Sequence, residues 1–166
     1  LKLSKNYKII DIGNIQINYL DREDVVNEFQ IIKDKKNYKI IGNSLNINKI
    51  ISALLNSNNT KSDFFDKNFK LVFDIKKIYL DKVNTTNDLK GFLFLDNNEI
   101  KEVNLESEFS NKRKIKFTIK TIDNNEKITT LFSSNAKPLV DRYEFIKGFN
   151  EGSLDFSSIK KNYETK

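Results

Sequence analysis

Residues 113–159 read RKIKFTIKTIDNNEKITTLFSSNAKPLVDRYEFIKGFNEGSLDFSSI, and the pattern in this stretch decides the fold. Apolar and polar side chains alternate over 115–119 and again over 128–132, which is the period of a strand with one buried face. Residues 123–126, Asp-Asn-Asn-Glu, separate the two runs and have the composition of a tight turn. The pattern therefore predicts a β-hairpin in which Ile128, Thr130 and Phe132 lie on the side of Phe117 and Ile119.

A short helix and a returning strand follow this hairpin. We predict the helix over 136–142, with Pro138 in its first turn, where the missing N–H of proline is tolerated. Gly152 then opens a last strand over 153–159. The stretch thus predicts strands joined by short connections rather than a helical domain.

The segment before residue 113 supplies a partner strand for this hairpin. Residues 102–109 alternate between polar residues, three of them glutamates, and mainly apolar residues, whereas 114–120 alternate between polar residues, three of them lysines, and apolar residues. If paired residue numbers sum to 222, every charge on one face meets its opposite, and a slip of one residue would exchange the apolar and charged faces. The predicted pairs are Glu108 with Lys114, Glu106 with Lys116, Glu102 with Lys120, Leu105 with Phe117 and Val103 with Ile119.

Further alternating runs extend the strand pattern towards the start of the chain. Residues 15–19, 25–32, 38–41 and 69–75 have strand periodicity, and 89–95 is apolar on both faces. A second short helix is predicted over 48–55, because apolar residues at 47, 50, 51, 54 and 55 have helical spacing. The predicted fold class is mainly β, an antiparallel meander that forms an open, twisted and curled sheet, or β-groove, with two short helices.

The chain is predicted to be one segment, 1–166, of a longer repetitive β protein. Its first β unit would cover 1–62 and include the helix over 48–55, and its second would cover 63–166 and include the helix over 136–142. Residue 1 is Leu and the sequence has no Met, which indicates a piece of a longer protein. A seven-residue echo between 44–50 and 153–159 fits stacked β units.

Composition argues against several classes of function. Cysteine and histidine are absent, which removes disulfides, thiolate ligands, the commonest general base and the commonest metal ligand. We therefore expect no enzymatic activity, no cofactor and no metal. The net charge is +6, but lysine supplies nearly all of the positive charge and arginine only three residues, which disfavours nucleic-acid binding.

Two sets of charged residues have alternative interpretations. Glu102, Glu106 and Glu108 could hold a metal or act in acid/base chemistry, but their alternation opposite lysines favours a solvated sheet face. The lysine-rich segments 33–39, 111–116 and 160–161 could contact anionic head groups, although solvated turns explain such segments more simply.

The region from about Phe69 to Ile159 resembles the AsmA-like family of bacterial envelope proteins, in particular its YhdP-type branch. The resemblance is carried by Ser134-Asn135-Ala136, the short helix through Leu139-Val140, the turn from Phe145 to Gly148, and the strand that begins Gly152-Ser153-Leu154-Asp155-Phe156. An earlier element resembles the glycine, strand and short helix of the same family. It is Gly42-Asn43-Ser44-Leu45-Asn46-Ile47, followed by apolar residues at helical spacing.

The resemblance implies a periplasmic protein anchored in the bacterial inner membrane by an N-terminal helix that this sequence lacks. It also implies a groove lined with apolar side chains that carries phospholipids between the inner and outer membranes, and envelope partner proteins. Apolar side chains in the predicted strands are the candidates for lining this groove. They are Leu71, Phe73, Ile75, Phe92, Phe94, Leu105, Phe117, Ile119 and Phe132.

Two other functions remain open from the residues alone. Alternating strand faces more often form an ordinary sheet core, so the chain could be a β-rich structural or interaction module with a filled core and no ligand. A basic β domain that binds nucleic acid would instead show a lysine stripe with exposed aromatic residues.

Overall fold

The computed structural model describes residues 2–3, 5, 9–11, 13–48, 68–96, 99–123, 126–143 and 151–161. Most of these residues lie in strands. In chain order the elements are β1 (Lys2–Leu3), β2 (Ile9–Asp11), β3 (Ile15–Leu20), β4 (Val26–Asp34), β5 (Asn37–Asn46), β6 (Phe69–Tyr79), β7 (Thr85–Asp96), β8 (Glu99–Glu108), β9 (Lys114–Asp123), β10 (Glu126–Ser133), α1 (Lys137–Tyr143) and β11 (Leu154–Lys161).

Nine strands form one open sheet whose spatial order, from β3 to β11, follows the chain. Strands β1 and β2 pair separately. The prediction of a mainly β meander in an open sheet is confirmed. The predicted helix at 136–142 is present as α1, whereas the predicted helix at 48–55 lies outside the described residues from position 49 onward.

One strand pair departs from the antiparallel meander. Strands β5 and β6 are parallel, with Tyr38 opposite Leu71 and Asn46 opposite Tyr79. Parallel neighbours need a long crossover instead of a tight turn, and residues 47–68 connect this pair. The predicted boundary between β units at 62/63 falls in this connection, and the strands on both sides of it belong to one sheet.

The predicted β8–β9 hairpin is confirmed in register. Glu102 pairs with Lys120, Val103 with Ile119, and Glu106 with Lys116, so the pair numbers sum to 222 throughout. Charge complementarity on one face and apolar complementarity on the other specify the same register, which is why the sequence alone determined it.

The predicted face of β10 is wrong. Thr129 lies opposite Ile119 and Leu131 opposite Phe117, so Ile128, Thr130 and Phe132 lie on the other face. The cause is a register shift between Glu126 and Lys127, directly after the turn. A shift of one residue exchanges the two faces of the rest of the strand.

One face of the sheet carries the hydrophobic core. Alternate side chains from β5 to β10 bury there, and Leu139 of α1 joins the same cluster. We call this side of the sheet the core face and the other side the polar face. The buried members of the cluster are Tyr38, Ile40, Leu45, Ile47, Phe69, Phe73, Ile75, Ile78, Leu80, Leu89, Leu93, Leu95, Val103, Phe109, Ile115, Phe117, Ile119, Leu131 and Leu139.

Gly91 is the position in the middle of the sheet that requires glycine. Its φ is +135°, a conformation that residues with a side chain rarely adopt. A Cβ there would also overlap the backbone of Asn104 and Leu105 on β8. The absence of a side chain lets β7 and β8 approach closely at the point where Gly91 pairs with Leu105.

Candidate functional site: the apolar face of the sheet

Six of the nine predicted groove residues lie together on the core face. Four are buried in the core cluster, and two are partly buried against it. They come from β6, β8 and β9, which the sheet brings side by side with the intervening β7. The buried four are Phe73, Ile75, Phe117 and Ile119, and the partly buried two are Leu71 and Leu105.

The other three predicted residues lie on the polar face and cannot line a path with the first six. Phe92 and Phe94 alternate along β7 with the buried Leu93 and Leu95. The ammonium of Lys70 lies 3.5 Å from the ring centroid of Phe92, so this ring is covered by a cation on the polar face. Phe132 is 41% exposed, because the β10 register shift turns it away from the core.

A small cavity remains at the centre of the core face, with a volume of about 50 Å³. Binding pockets for small organic ligands have volumes of roughly 300–1,000 Å³, so this space is too small for a lipid chain. Side chains from β6 to β10, with Leu139, fill the rest of this region. The lining residues are Ile47, Phe73, Leu80, Thr86, Leu89, Leu93, Leu105, Glu106, Ser107, Ile115, Phe117, Leu131 and Leu139.

The start of α1 is fixed over one end of the core face. Ala136, Leu139 and Val140 are buried, and the amide of Ala136 donates a hydrogen bond of 2.9 Å to the carbonyl of Gly152, just before β11. Leu139 contributes to the cavity lining. The short helix therefore closes part of the core face with the chain's own side chains.

The polar face carries the carboxylates that the sequence offered as metal or acid/base candidates. The Lys114 Nζ lies 2.8 Å from Glu106 Oε1. This hydrogen bond from Lys114 lowers the pKa of Glu106, and the same bond raises the pKa of Lys114. Because lysines opposite them in register complement these carboxylates, the solvated sheet face is the better interpretation of Glu102, Glu106 and Glu108.

A polar cluster at the β3–β4 turn was not predicted from the sequence. Asn27 is fully buried; its amide donates to Asp21 Oδ2 at 3.2 Å and to the Val25 carbonyl at 3.0 Å. Its oxygen accepts a hydrogen bond of 2.7 Å from the amide of Asn46. The Asn46 side chain in turn donates to Asp21 at 2.8 Å and to Glu23 at 3.1 Å.

This cluster joins strands and is not a cation site. Its carboxylates face the N–H groups of Asn27 and Asn46, and the Asn46 oxygen accepts from the amide of Asn48, which fixes the orientation of that side chain. The buried Oδ1 of Asn48 accepts no hydrogen bond from the residues that the structure describes. The sequence feature that could have indicated this cluster is the position of Asn27, Asn46 and Asn48 beside apolar residues.

The Asp21 carboxylate gives this cluster a pH dependence. Desolvation raises its pKa, but hydrogen bonds from Val25, Asn46, Glu23 and Asn27 together outweigh that effect and lower the pKa below its ordinary value. A carboxyl whose pKa falls on folding stabilises the protein above its unfolded-state pKa, and that contribution is lost as the pH falls through the folded-state pKa. We expect the stability difference between the natural chain and Asp21→Asn to shrink as the pH falls below about 4.

Urea unfolding measured between pH 2 and pH 6 tests this expectation. Asp74→Asn is the matched control, because Asp74 is exposed and lies on a strand away from the cluster. A stability difference for Asp21→Asn that stays constant from pH 6 to pH 2 would contradict the proposed role of the ionised carboxylate.

The described residues contain neither a metal-binding group nor a helix that could span a bilayer. No group of three or more acidic, histidine or cysteine side chains in those ranges could hold a metal ion. Within the same ranges, no helix has the length and apolar character that crossing a bilayer requires.

Both outer strands of the nine-stranded sheet are regular and solvent-exposed. Each has a single neighbouring strand within the described part of the chain. Along β11, Phe156 is 43% exposed, and Tyr19 and Leu20 on β3 are exposed to a similar or greater extent. Extended edges with exposed apolar side chains are suited to pairing with a further strand.

Comparison with known proteins gives no match: no family model, no curated protein and no solved structure matches this chain.

Proposed function

We propose that this chain is a non-enzymatic β-sheet module with a structural or interaction role, whose core is filled by its own side chains. The observation that carries the proposal is the 50 Å³ cavity, the space left in the centre of an otherwise packed core face. A single buried Ile or Leu stabilises a fold by about 1.5–3 kcal/mol, so the many buried side chains in this cluster are explained by folding alone.

Interaction with other proteins would take place at the sheet edges. Strands β3 and β11 present exposed apolar side chains, and each has one neighbouring strand among the described residues, the arrangement through which a strand of another sheet can be added. A module of this kind would extend or connect β structure without binding a small ligand.

A second candidate is the lipid-transfer segment that the AsmA-like resemblance implies. It is favoured by the lining of the central cavity, which is almost entirely apolar, and by six predicted groove residues that share the core face. Acyl chains would need the packed side chains to separate, after which each buried CH₂ would contribute about 0.8 kcal/mol. Under this proposal the chain would contact phospholipid in the bacterial periplasm as part of a membrane-anchored protein.

Native mass spectrometry of the purified chain distinguishes the two candidates. We expect the mass of the protein alone, and no uptake of a fluorescent phospholipid from vesicles. Phospholipid that co-purifies, and that is lost in an Ile119→Asp variant but kept in a Phe132→Asp variant, would establish the lipid-transfer function instead. Ile119 lies on the core face and Phe132 on the polar face, so this pair separates specific uptake from non-specific adhesion.

A further inference from the structure

Strand β11 is a long and regular edge strand. It has eight residues, none of them glycine or proline, and it pairs with β10 from Leu154 to Lys161 without a register shift. Every residue of β11 after Leu154 is exposed. Edge strands are commonly protected by a proline, a bulge or a charge that points inward, so a regular edge without a proline or a bulge is suited to pairing.

This strand exposes one large apolar side chain on each face of the sheet. Phe156 lies opposite the buried Leu131, so it extends the core face, and it is 43% exposed. Ile159 lies opposite Ile128 on the polar face and is 58% exposed. A further strand at this edge would remove part of both side chains from water, which favours its addition.

The charged residues of β11 lie near its two ends. Asp155 is the second residue of the strand, and Lys160 and Lys161 are the last two. On the polar face Lys161 lies opposite Glu126, whereas Asp155 lies opposite the ring of Phe132. The three glutamates of β8 that pair with β9, by contrast, each lie opposite a lysine. A cation directly opposite Asp155 can therefore come only from a strand added on the other side of β11.

We propose that β11 pairs antiparallel with β11 of a second copy of this chain, which gives a two-fold symmetric dimer. This inference rests on the proposed interaction role of the sheet edges and names the partner at one of them. Opposite side chains of an antiparallel pair share a face, and faces alternate along each strand. The two residue numbers of every pair in the symmetric dimer must therefore sum to an even number.

Charge complementarity selects one register among the symmetric ones. If paired numbers sum to 316, Asp155 of each copy lies opposite Lys161 of the other, and symmetry makes two such pairs. No other even sum places Asp155 opposite a lysine of β11, because pairing with Lys160 requires an odd sum and would put the two side chains on opposite faces. The selected register pairs 155–161 of both copies, which is all of β11 except Leu154.

Strand β3, at the opposite edge of the sheet, is a poorer partner for β11. Its six residues, IQINYL, carry no charge, so β3 offers no complement to Asp155 or Lys161. Contacts between unlike edges also repeat from copy to copy and produce rings or open filaments. A pair of β11 strands ends at two copies, because each copy contributes the same edge.

Sedimentation velocity over a concentration series tests the pairing through two charge reversals. We expect a weak monomer–dimer equilibrium for the natural chain, because one strand pair buries less area than a standard interface. Asp155→Lys and Lys161→Asp each place like charges opposite each other twice, so each should weaken dimerisation by about tenfold or more. An equimolar mixture of the two variants should restore dimerisation, since every reversed residue then meets its opposite charge.

Asp74→Lys is the matched control for these reversals. Asp74 is an exposed carboxylate on the inner strand β6, so the same change of charge there should leave dimerisation unchanged. Circular dichroism of each variant reports whether the fold is kept. Restored association in the mixture also shows that both single variants are folded.

Single cysteines test the register, because the natural chain has none. In the selected register Ser158 lies opposite Ser158 of the second copy, with Cα atoms about 4.5–5.5 Å apart. The two Ser157 residues are offset along the strands, which separates their Cα atoms by about 8 Å. Disulfides require Cα atoms within about 7 Å, so Ser158→Cys should form a cross-linked dimer on oxidation and Ser157→Cys, also at an exposed position, should not.

Several results would overturn the dimer. These are a natural chain that stays monomeric at millimolar concentration, oligomers larger than a dimer, an equal loss of association in Asp74→Lys, failure of the mixture to associate, or cross-linking of Ser157→Cys as fast as that of Ser158→Cys. Native mass spectra of the same samples record bound phospholipid separately from the number of copies. Bound phospholipid would refute the filled-core function, whereas a lipid-free monomer would refute only the dimer.

Discussion

Replacing Gly91 by alanine is expected to destabilise the fold by about 2–6 kcal/mol, the sum of backbone strain and overpacking. The φ of +135° is unfavourable for any residue with a Cβ. The added methyl group would overlap the carbonyl of Asn104 on the neighbouring strand, so β7 and β8 would have to separate at the centre of the sheet. Urea unfolding followed by circular dichroism measures the effect.

Gly13→Ala is the matched control for this substitution. A Cβ at Gly13 would meet no atom within 4 Å, so the same chemical change should alter stability by no more than about 0.5 kcal/mol. Equal effects of the two substitutions would show that β7 and β8 do not approach at Gly91 as the structure indicates.

Truncation of Ile75 is expected to have the second largest effect, a loss of about 2–5 kcal/mol for Ile75→Ala. Ile75 is 0% exposed, and it belongs to the cluster that spans the sheet. Removing three carbon atoms there reduces the buried apolar area and leaves a cavity that the surrounding strands can close only in part. The free energy of unfolding in urea again provides the measurement.

Val83→Ala serves as the comparison, since Val83 is 83% exposed in the β6–β7 connection. This substitution should lower the free energy of unfolding by no more than about 0.5 kcal/mol. If the face that holds Ile75 opens readily to solvent or lipid, Ile75→Ala will cost little more than Val83→Ala, and the filled-core account will be wrong.

The sequence predicted the β8–β9 hairpin fully because two independent patterns agreed. The glutamates of β8 match the lysines of β9, and Val103 and Leu105 match Ile119 and Phe117 in the same register. The presence of strands in these regions and the position of the α1 helix were also predicted from local periodicity. These features depend on residues that are close in sequence, where periodicity is informative.

The sequence predictions failed where a one-residue register shift or the direction of a strand determines the geometry. The alternation over 126–133 is compatible with either face of the strand pointing to the core. The register shift between Glu126 and Lys127 determines the face, and it places Phe132 away from the core. The parallel pairing of β5 with β6 was missed because alternation carries no strand direction. The prediction that Phe92 and Phe94 line the groove with the other candidates was wrong because their strand is apolar on both faces, and only strand pairing shows which face is packed.

The polar cluster around Asn27 was not predicted because it joins residues far apart in the chain. Asn27 meets Asn46 through the pairing of β4 with β5. Such sites depend on register across strands, which single-strand periodicity does not contain.

We expect the chain's own side chains to fill the core face in solution. Nuclear Overhauser measurements on methyl-labelled protein, with and without a soluble short-chain phospholipid, test this packing. We predict contacts of the Leu139 methyl groups with Phe117 and Leu131, which line the same small cavity, and no contact between acyl chains and Ile75 or Ile119. Acyl-chain contacts to Ile75 and Ile119, with loss of the Leu139 contacts, would show that this face is a lipid path and would contradict the account.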